Sequence, residues 1–187
     1  SVALSMTVKT YAFPAAKKAI KEFLDARGRK AEVLDGFSLG AYRIKYHIKD
    51  HPRVCIIIPT RDKASLLKQC ISSILSKTDY KNYEIMVVDN QSSEKETVDY
   101  YNSLKSNDEI KIVHYNKPFN YSEINNFAVN HTDAEVIVFL NNDTEVINNE
   151  WLSSMLEFAQ REDVGAVGAK LYYPDDTIQH AGLIVGI

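Results

Sequence analysis

From Arg53 to Lys77 the chain reads RVCIIIPTRDKASLLKQCISSILSK: an apolar run, a short polar break, then an amphipathic repeat. Val54 to Ile58 are apolar on both alternating faces, the pattern of a strand covered on both sides. The repeat that follows puts Leu66, Leu67, Cys70, Ile71, Ile74 and Leu75 on one face of a helix, with Asp62 expected as its N-cap. A covered strand followed at once by an amphipathic helix is the unit of a mostly parallel sheet flanked by helices.

The same alternation continues downstream. YEIMVVD (83–89) reads as a second strand, and Ser93 and Glu96 have capping-box spacing ahead of Val98, Tyr101 and Leu104. IKIVHY (110–115) is a shorter third strand, and Ser122 is expected to cap a helix carrying Ile124, Phe127 and Ala128. EVIVFL (135–140) is the fourth strand, NEWLSSMLEFAQR (149–161) a further helix that Trp151 anchors, and VGAVGAKLYY (164–173) is expected to resume the sheet. The class is α/β, in the order β-α-β-α-β-α-β.

Upstream, the character changes. Residues 1–50 hold ten Lys and Arg against five Asp and Glu, whereas 51–187 hold twelve against twenty. Pro14 opens and Gly28 closes the helical stretch PAAKKAIKEFLDARG. AYRIKYHIKD (41–50) alternates apolar and charged residues as a half-buried strand does, so a hairpin is expected after the helix. The expected division is an N-terminal extension or tail of an upstream module, residues 1–50, and a main domain, residues 51–187.

At 187 residues with 45% hydrophobic and 25% charged, the chain can bury a sizeable core and does not read as disordered. Its net charge of −3, without a basic stripe, argues against a nucleic-acid partner. No apolar stretch reaches the roughly 18 residues of a membrane span, and the N-terminus lacks the order of a signal peptide. Cys55 and Cys70 both fall in apolar settings and read as reduced core residues, consistent with a reducing compartment. The chain starts abruptly at SVALS and stops inside AGLIVGI, which reads as a piece of a larger protein.

In an open parallel sheet, ligands bind beyond the carboxyl ends of the strands. Those ends here are Pro59-Thr60-Arg61-Asp62, Asp89-Asn90-Gln91-Ser92 and Asn141-Asn142-Asp143. Three polar tips on one edge mark a candidate site, although Asp62, Ser92 and Ser93 are also of the types that cap helices. Neither GxGxxG nor GxxxxGK[ST] occurs, so a dinucleotide fingerprint and a P-loop are excluded. A carboxylate at a strand tip beside amides can instead hold a divalent cation that bridges to phosphate oxygens. His114 and His131 have no partners at metal-ligand spacing.

Five segments in order, VCIIIPTRDKASLLKQCISSIL, YEIMVVDNQSSEKET, PFNYSEINNFAV, VIVFLNNDTEV and YPDDTIQHAGLIVGI, resemble the inverting family-2 glycosyltransferases of GT-A fold, especially bacterial O-antigen and rhamnan-type enzymes. The resemblance covers about residues 53–187. It implies a nucleotide-diphospho-sugar donor, UDP- or dTDP-linked, and a saccharide or lipid-linked saccharide acceptor of a cell-surface polysaccharide. Pro59, Thr60, Arg61 and Asp62 match the first nucleotide-contacting loop, Asp89 the carboxylate that accepts from a pyrimidine ring N–H, and Asn126 an amide from the helix before the fourth strand. The triplet 141–143 stands where the family has its DxD motif, so Asp143 is the expected ligand of Mn²⁺ or Mg²⁺. His180 is a further candidate near the metal. A location in the cytoplasm, at the inner face of the membrane, follows from the same resemblance.

The chain departs from the family pattern twice. Asn141 replaces the first acidic residue of the motif, which weakens metal affinity without nucleotide and leaves Asn141 and Asn142 to meet ribose or donor-sugar hydroxyls. The family's general base lies in a later acidic motif, expected beyond Ile187, so the chain by itself is expected to bind donor without completing transfer. Asp175 and Asp176 read as turn residues. The alternatives are a non-catalytic nucleotide-sugar-binding or scaffold module of a larger synthase and, ranked below it, a nucleotidyltransferase, whose Gly-rich basic first loop PTRDKAS does not resemble.

Overall fold

A computed structural model describes residues 11–182; the terminal stretches that include SVALS and LIVGI lie outside them. In chain order the elements are α1 (Ala12–Ala26), β1 (Ala31–Asp35), β2 (Tyr42–Tyr46), β3 (Val54–Thr60), α2 (Ala64–Lys77), β4 (Tyr83–Asp89) and α3 (Lys95–Leu104). There follow β5 (Ile110–His114), α4 (Tyr121–Val129), β6 (Val136–Phe139), α5 (Trp151–Ala159), β7 (Leu171–Tyr172) and β8 (Ile178–His180). Two units form: one from residues 50–153, the other from the described parts of 1–49 and 154–187.

The first unit is built on a four-stranded sheet in the order β5-β4-β3-β6, parallel at every step. Central β3 and β4 are apolar on both faces because both faces are covered: Ile56, Ile57, Ile58, Ile85, Met86 and Val87 are all fully buried. Each such side chain contributes about 1.5–3 kcal/mol through removal from water. Cys55, Ile57, Met86 and Val88 pack with Tyr115 and with Ile124 and Ala128 of α4. The cysteines are free thiols, and burial pushes both up to about 12. Trp151 starts α5 with its indole N–H on Thr78 Oγ1 at 3.0 Å, the anchoring role its sequence suggested.

Register explains the polar edge. Thr60 stands beside Asp89, and Asp89 beside His114, so three strands end level. β6 stops early, with Phe139 opposite Ile57. Ile57 accepts the Leu140 N–H at 3.0 Å. Pro59, two residues further on, turns the same side toward a place that β6 no longer occupies, which is where a residue without an N–H fits a central strand.

Several local expectations are corrected. Asp62 does not cap α2: it and Lys63 adopt left-handed backbones, and the Asp62 carboxylate turns to accept the Ser93 and Glu94 N–H groups at 2.8 and 2.9 Å. That removes the N–H a Ser93–Glu96 capping box needs, and α3 has no side-chain cap of its own. In α4 the cap is Asn120 rather than Ser122, its Oδ1 accepting the Glu123 N–H at 3.0 Å. Leu66 and Leu75 of the predicted α2 face are exposed.

In the second unit α1 precedes an antiparallel β1–β2 hairpin, as its Pro, Gly and alternation implied. The buried Glu157 carboxylate accepts the Tyr46 N–H at 3.2 Å and lies 3.4 Å from Arg43 Nη2. The stretch VGAVGAKLYY does not rejoin the sheet. Only Leu171 and Tyr172 form a strand, paired with β8 in a separate hairpin. Its turn is held by Asp175, which accepts the Thr177 N–H and hydroxyl, so this carboxylate serves the turn.

Candidate functional site

Beyond the carboxyl ends of β3 and β6 lies a cavity of about 240 Å³. Pro59, Thr60 and Arg61 line it from one strand end, Asn90 from the next, and Asn141 and Asn142 from the tip of β6. Phe119 and Tyr121, 64% and 51% exposed, complete the lining from the start of α4.

Asn90 is the lining residue with an unmet need. It is 2% exposed, its N–H bonds the Thr60 carbonyl at 2.8 Å, and its Nδ2 donates to the carbonyls of Tyr115 and Lys117 at 3.1 and 2.8 Å. Two carbonyls on the nitrogen settle which end of the amide is which. The other end, Oδ1, is buried without a hydrogen-bond partner. A buried acceptor left unpaired costs about 1–3 kcal/mol, which a donor brought by a ligand recovers.

Asp89, one residue earlier, is also buried but fully engaged. Its Oδ1 accepts the Ser92 N–H at 3.1 Å and the Tyr101 hydroxyl at 3.0 Å, and its Oδ2 meets His114 Nδ1 at 3.0 Å. Burial alone raises its pKa, but the bonds from Ser92, His114 and Tyr101 outweigh that and hold the carboxyl below the usual range. Burial beside this carboxylate pushes the Tyr101 phenol well up, so Tyr101 remains a donor.

At the tip of β6, the Asn142 amide donates to Thr60 Oγ1 at 2.8 Å. Asn141 is held from beneath by the Cys70 thiol, 3.7 Å from its carbonyl. Asp143 is exposed and makes no hydrogen bond or ion pair among the described residues, whereas nearby Glu145 is taken by Gln69 and Lys77. Among the described residues no cluster of three His, Cys, Asp or Glu side chains could hold a metal alone. One carboxylate among amide oxygens is a hard-oxygen set that fits Mg²⁺ or Mn²⁺ bound mainly through substrate phosphate.

Residues 55–183 match the family model described as Glycosyl transferase family 2. The chain belongs to glycosyl transferase family 2.

Among curated relatives, this glycosyltransferase chain is 42% identical over its whole length to the "Uncharacterized protein y4gI" of Sinorhizobium fredii, and 38% identical over 91% of its length to the "O-antigen biosynthesis protein RfbC" of Myxococcus xanthus. It spans only 21% and 13% of those two proteins. Among solved structures it is similar to the "Mannosyltransferase PcManGT from Pyrobaculum calidifontis in complex with GDP-Man and Mn2+", with 20% identity and a TM-score of 0.60, over 89% of this chain and 47% of that one. The likeness is one of fold: the α/β sheet and its helices are of GT-A type.

The cavity brings together five of the residues expected at a donor site, Pro59, Thr60, Arg61, Asn141 and Asn142. Asp62 and Asp89 are not in the lining: Asp62 Oδ1 accepts from Ser93 and Glu94, and both Asp89 oxygens are engaged by Ser92, Tyr101 and His114. Asn126 lies on the exposed side of α4, outside the lining, while its neighbour Asn125 is buried with Oδ1 unpaired. His180 is an exposed β8 residue of the other unit. The sequence placed Asn90 in a polar strand tip without giving it a role, gave none to Phe119 and Tyr121, and treated His114 only as a failed metal ligand. Asn90 was within reach, since it follows Asp89 at the tip of a covered strand. His114 required the register of β4 and β5.

Proposed function

We propose that the 50–153 unit binds the pyrimidine nucleotide of a UDP- or dTDP-sugar, and that the protein containing it transfers the sugar, with inversion, to a growing surface polysaccharide on a lipid-linked or free saccharide acceptor. The observation that carries this reading is that Asn90, a residue of the cavity lining, has a buried, orientation-locked Oδ1 without a hydrogen-bond partner. An oxygen that can only accept suits the ring N–H of uracil or thymine, and the role assigned by resemblance to Asp89 moves one residue along. Asp89 then braces the loop that presents Asn90.

A cavity of about 240 Å³ is small beside the roughly 300–1,000 Å³ of sites that enclose whole ligands. It suits the base and ribose, with Phe119 or Tyr121 stacking on the base. The diphosphate and sugar then lie outward over residues 141–143, where Arg61 supplies a positive charge and the Asn141 and Asn142 amides face sugar hydroxyls. Asp143 would hold Mn²⁺ or Mg²⁺, which when bound neutralises the departing diphosphate. The Mn²⁺ named with the GDP-mannose complex of the structural neighbour supports a divalent ion here. We assign the base that deprotonates the acceptor to residues outside this lining, which contains no carboxylate. The relative named for O-antigen biosynthesis supports the polysaccharide reading, and with it a cytoplasmic site at the membrane's inner face. Among the described residues no helix is long and apolar enough to cross a membrane.

Calorimetric titration with UDP, dTDP, GDP and ADP, each with and without Mn²⁺, tests the proposal. Metal-dependent binding of a pyrimidine diphosphate in preference to the purines is expected; no binding of any of the four would overturn it.

A further inference from the structure

Three non-glycine residues close to the cavity hold left-handed backbones: Asp62 at φ 54°, Lys63 at φ 58° and Gln91 at φ 62°. Such residues persist only where their surroundings over-determine them. Here the surroundings are one connected set of hydrogen bonds. Asp62 N–H donates to Ser92 Oγ at 2.7 Å, and the Ser93 and Glu94 N–H groups return to the Asp62 carboxylate. Ser92 N–H and the Tyr101 hydroxyl both end on Asp89 Oδ1, with Tyr101 also 3.3 Å from Ser92 Oγ. The loops after β3 and β4 are thus joined through Asp62, and Asp89 holds Ser92 at one end of that link.

The partners of Asp89 Oδ1 are neutral. Its Oδ2 meets His114 Nδ1 at 3.0 Å, the hydrogen-bond partner of that oxygen among the described residues. The register of β4 and β5 puts the two side by side, and the imidazole is 61% exposed while the carboxylate is buried. Without His114, Oδ2 is a buried charged oxygen with no donor, and the carboxylate gains by rotating toward water. Rotation takes Oδ1 off Ser92 and Tyr101 together.

We infer that His114 is a positioning residue: by holding Asp89 it fixes the Asp62–Ser92 link and so keeps the two strained loops in the geometry that accepts the donor nucleotide. The mechanical half stands on the hydrogen bonds alone; the consequence for binding rests on the donor reading above.

His114→Asn and His114→Leu separate the donor from the bulk, because an Asn side chain can place its nitrogen near the position of Nδ1 and Leu places none. The readouts are amide hydrogen exchange at Asp62, Ser92, Ser93 and Glu94, none of which bonds to His114, and the affinity for UDP with Mn²⁺. In H114L the four amides are expected to exchange about tenfold faster and UDP to bind about tenfold more weakly, while Ile57 and Met86 stay protected. H114N is expected to restore both to within about threefold of the native chain. Should the Leu variant lose protection at Ile57 and Met86 as well, His114→Ala replaces it. Unchanged exchange at the four amides in the donor-free variant overturns the proposal, as does faster exchange with UDP affinity intact. Failure of the native chain to bind UDP or any other nucleoside diphosphate overturns the donor reading instead, and the exchange result still decides whether His114 braces the loops.

Discussion

The side-chain amide of Asn142 donates to the hydroxyl of Thr60 at 2.8 Å, tying the tip of β6 to the tip of β3. β6 ends short of β3, so a side chain takes over where backbone pairing stops. Thr60→Val keeps the shape and removes the acceptor. A loss of about 1 kcal/mol in stability is expected by urea denaturation, with weaker nucleotide binding because both residues line the cavity.

Asp62 joins two loops by capping the start of α3 from a distance. Asp62→Ala withdraws the acceptor from two N–H groups and puts a less tolerant residue at positive φ. Destabilisation of about 1–2 kcal/mol is expected, with Asp62→Asn milder because Asn retains an acceptor and tolerates the left-handed region. Thermal melts of the two variants check the order.

The Asp89 carboxyl is held below the ordinary range. Its stabilising contribution is therefore complete above the unfolded-state pKa of about 3.9 and is lost as pH falls through the lower folded value. The native chain should lose stability below about pH 4 more steeply than Asp89→Asn, and the gap between them should be widest near neutrality. Denaturation midpoints measured from pH 6 down to pH 3 test this; parallel curves would contradict it.

Asp143 is exposed and makes no hydrogen bond or ion pair among the described residues, so Asp143→Ala should leave stability within about 0.5 kcal/mol of native. What it should abolish is the effect of Mn²⁺ on nucleotide affinity. Equal metal enhancement in native and variant chains would place the ion elsewhere.

The fold was legible because β3, β4 and their helices announce themselves locally: a run such as VCIII has no polar face to show water, and no other element explains it. The strand-end triplets were legible for the same reason, polar residues standing out at the tips of buried strands. What escaped was set by pairing rather than by spacing. The cap expected at Asp62 was redirected by its left-handed backbone toward Ser93 and Glu94. The strand expected over residues 164–173 became a two-residue hairpin strand, since apolar content alone does not say which partner a strand takes. His114 is 25 residues from Asp89, and only the β4–β5 register makes them neighbours. That Asn90 rather than Asp89 has an unpaired oxygen is set by their partners: two carbonyls take the Asn90 nitrogen, while Ser92, Tyr101 and His114 take both Asp89 oxygens.

The most direct measurement compares the affinity of the native chain, with Mn²⁺, for UDP and for its N3-methyl derivative. Methylation removes the ring N–H that Asn90 Oδ1 is proposed to accept and changes nothing in the diphosphate. A loss of about 5- to 150-fold on methylation is expected, the range for leaving a buried acceptor unpaired. Equal binding of the two would contradict the assignment of Asn90 as the group that reads the base.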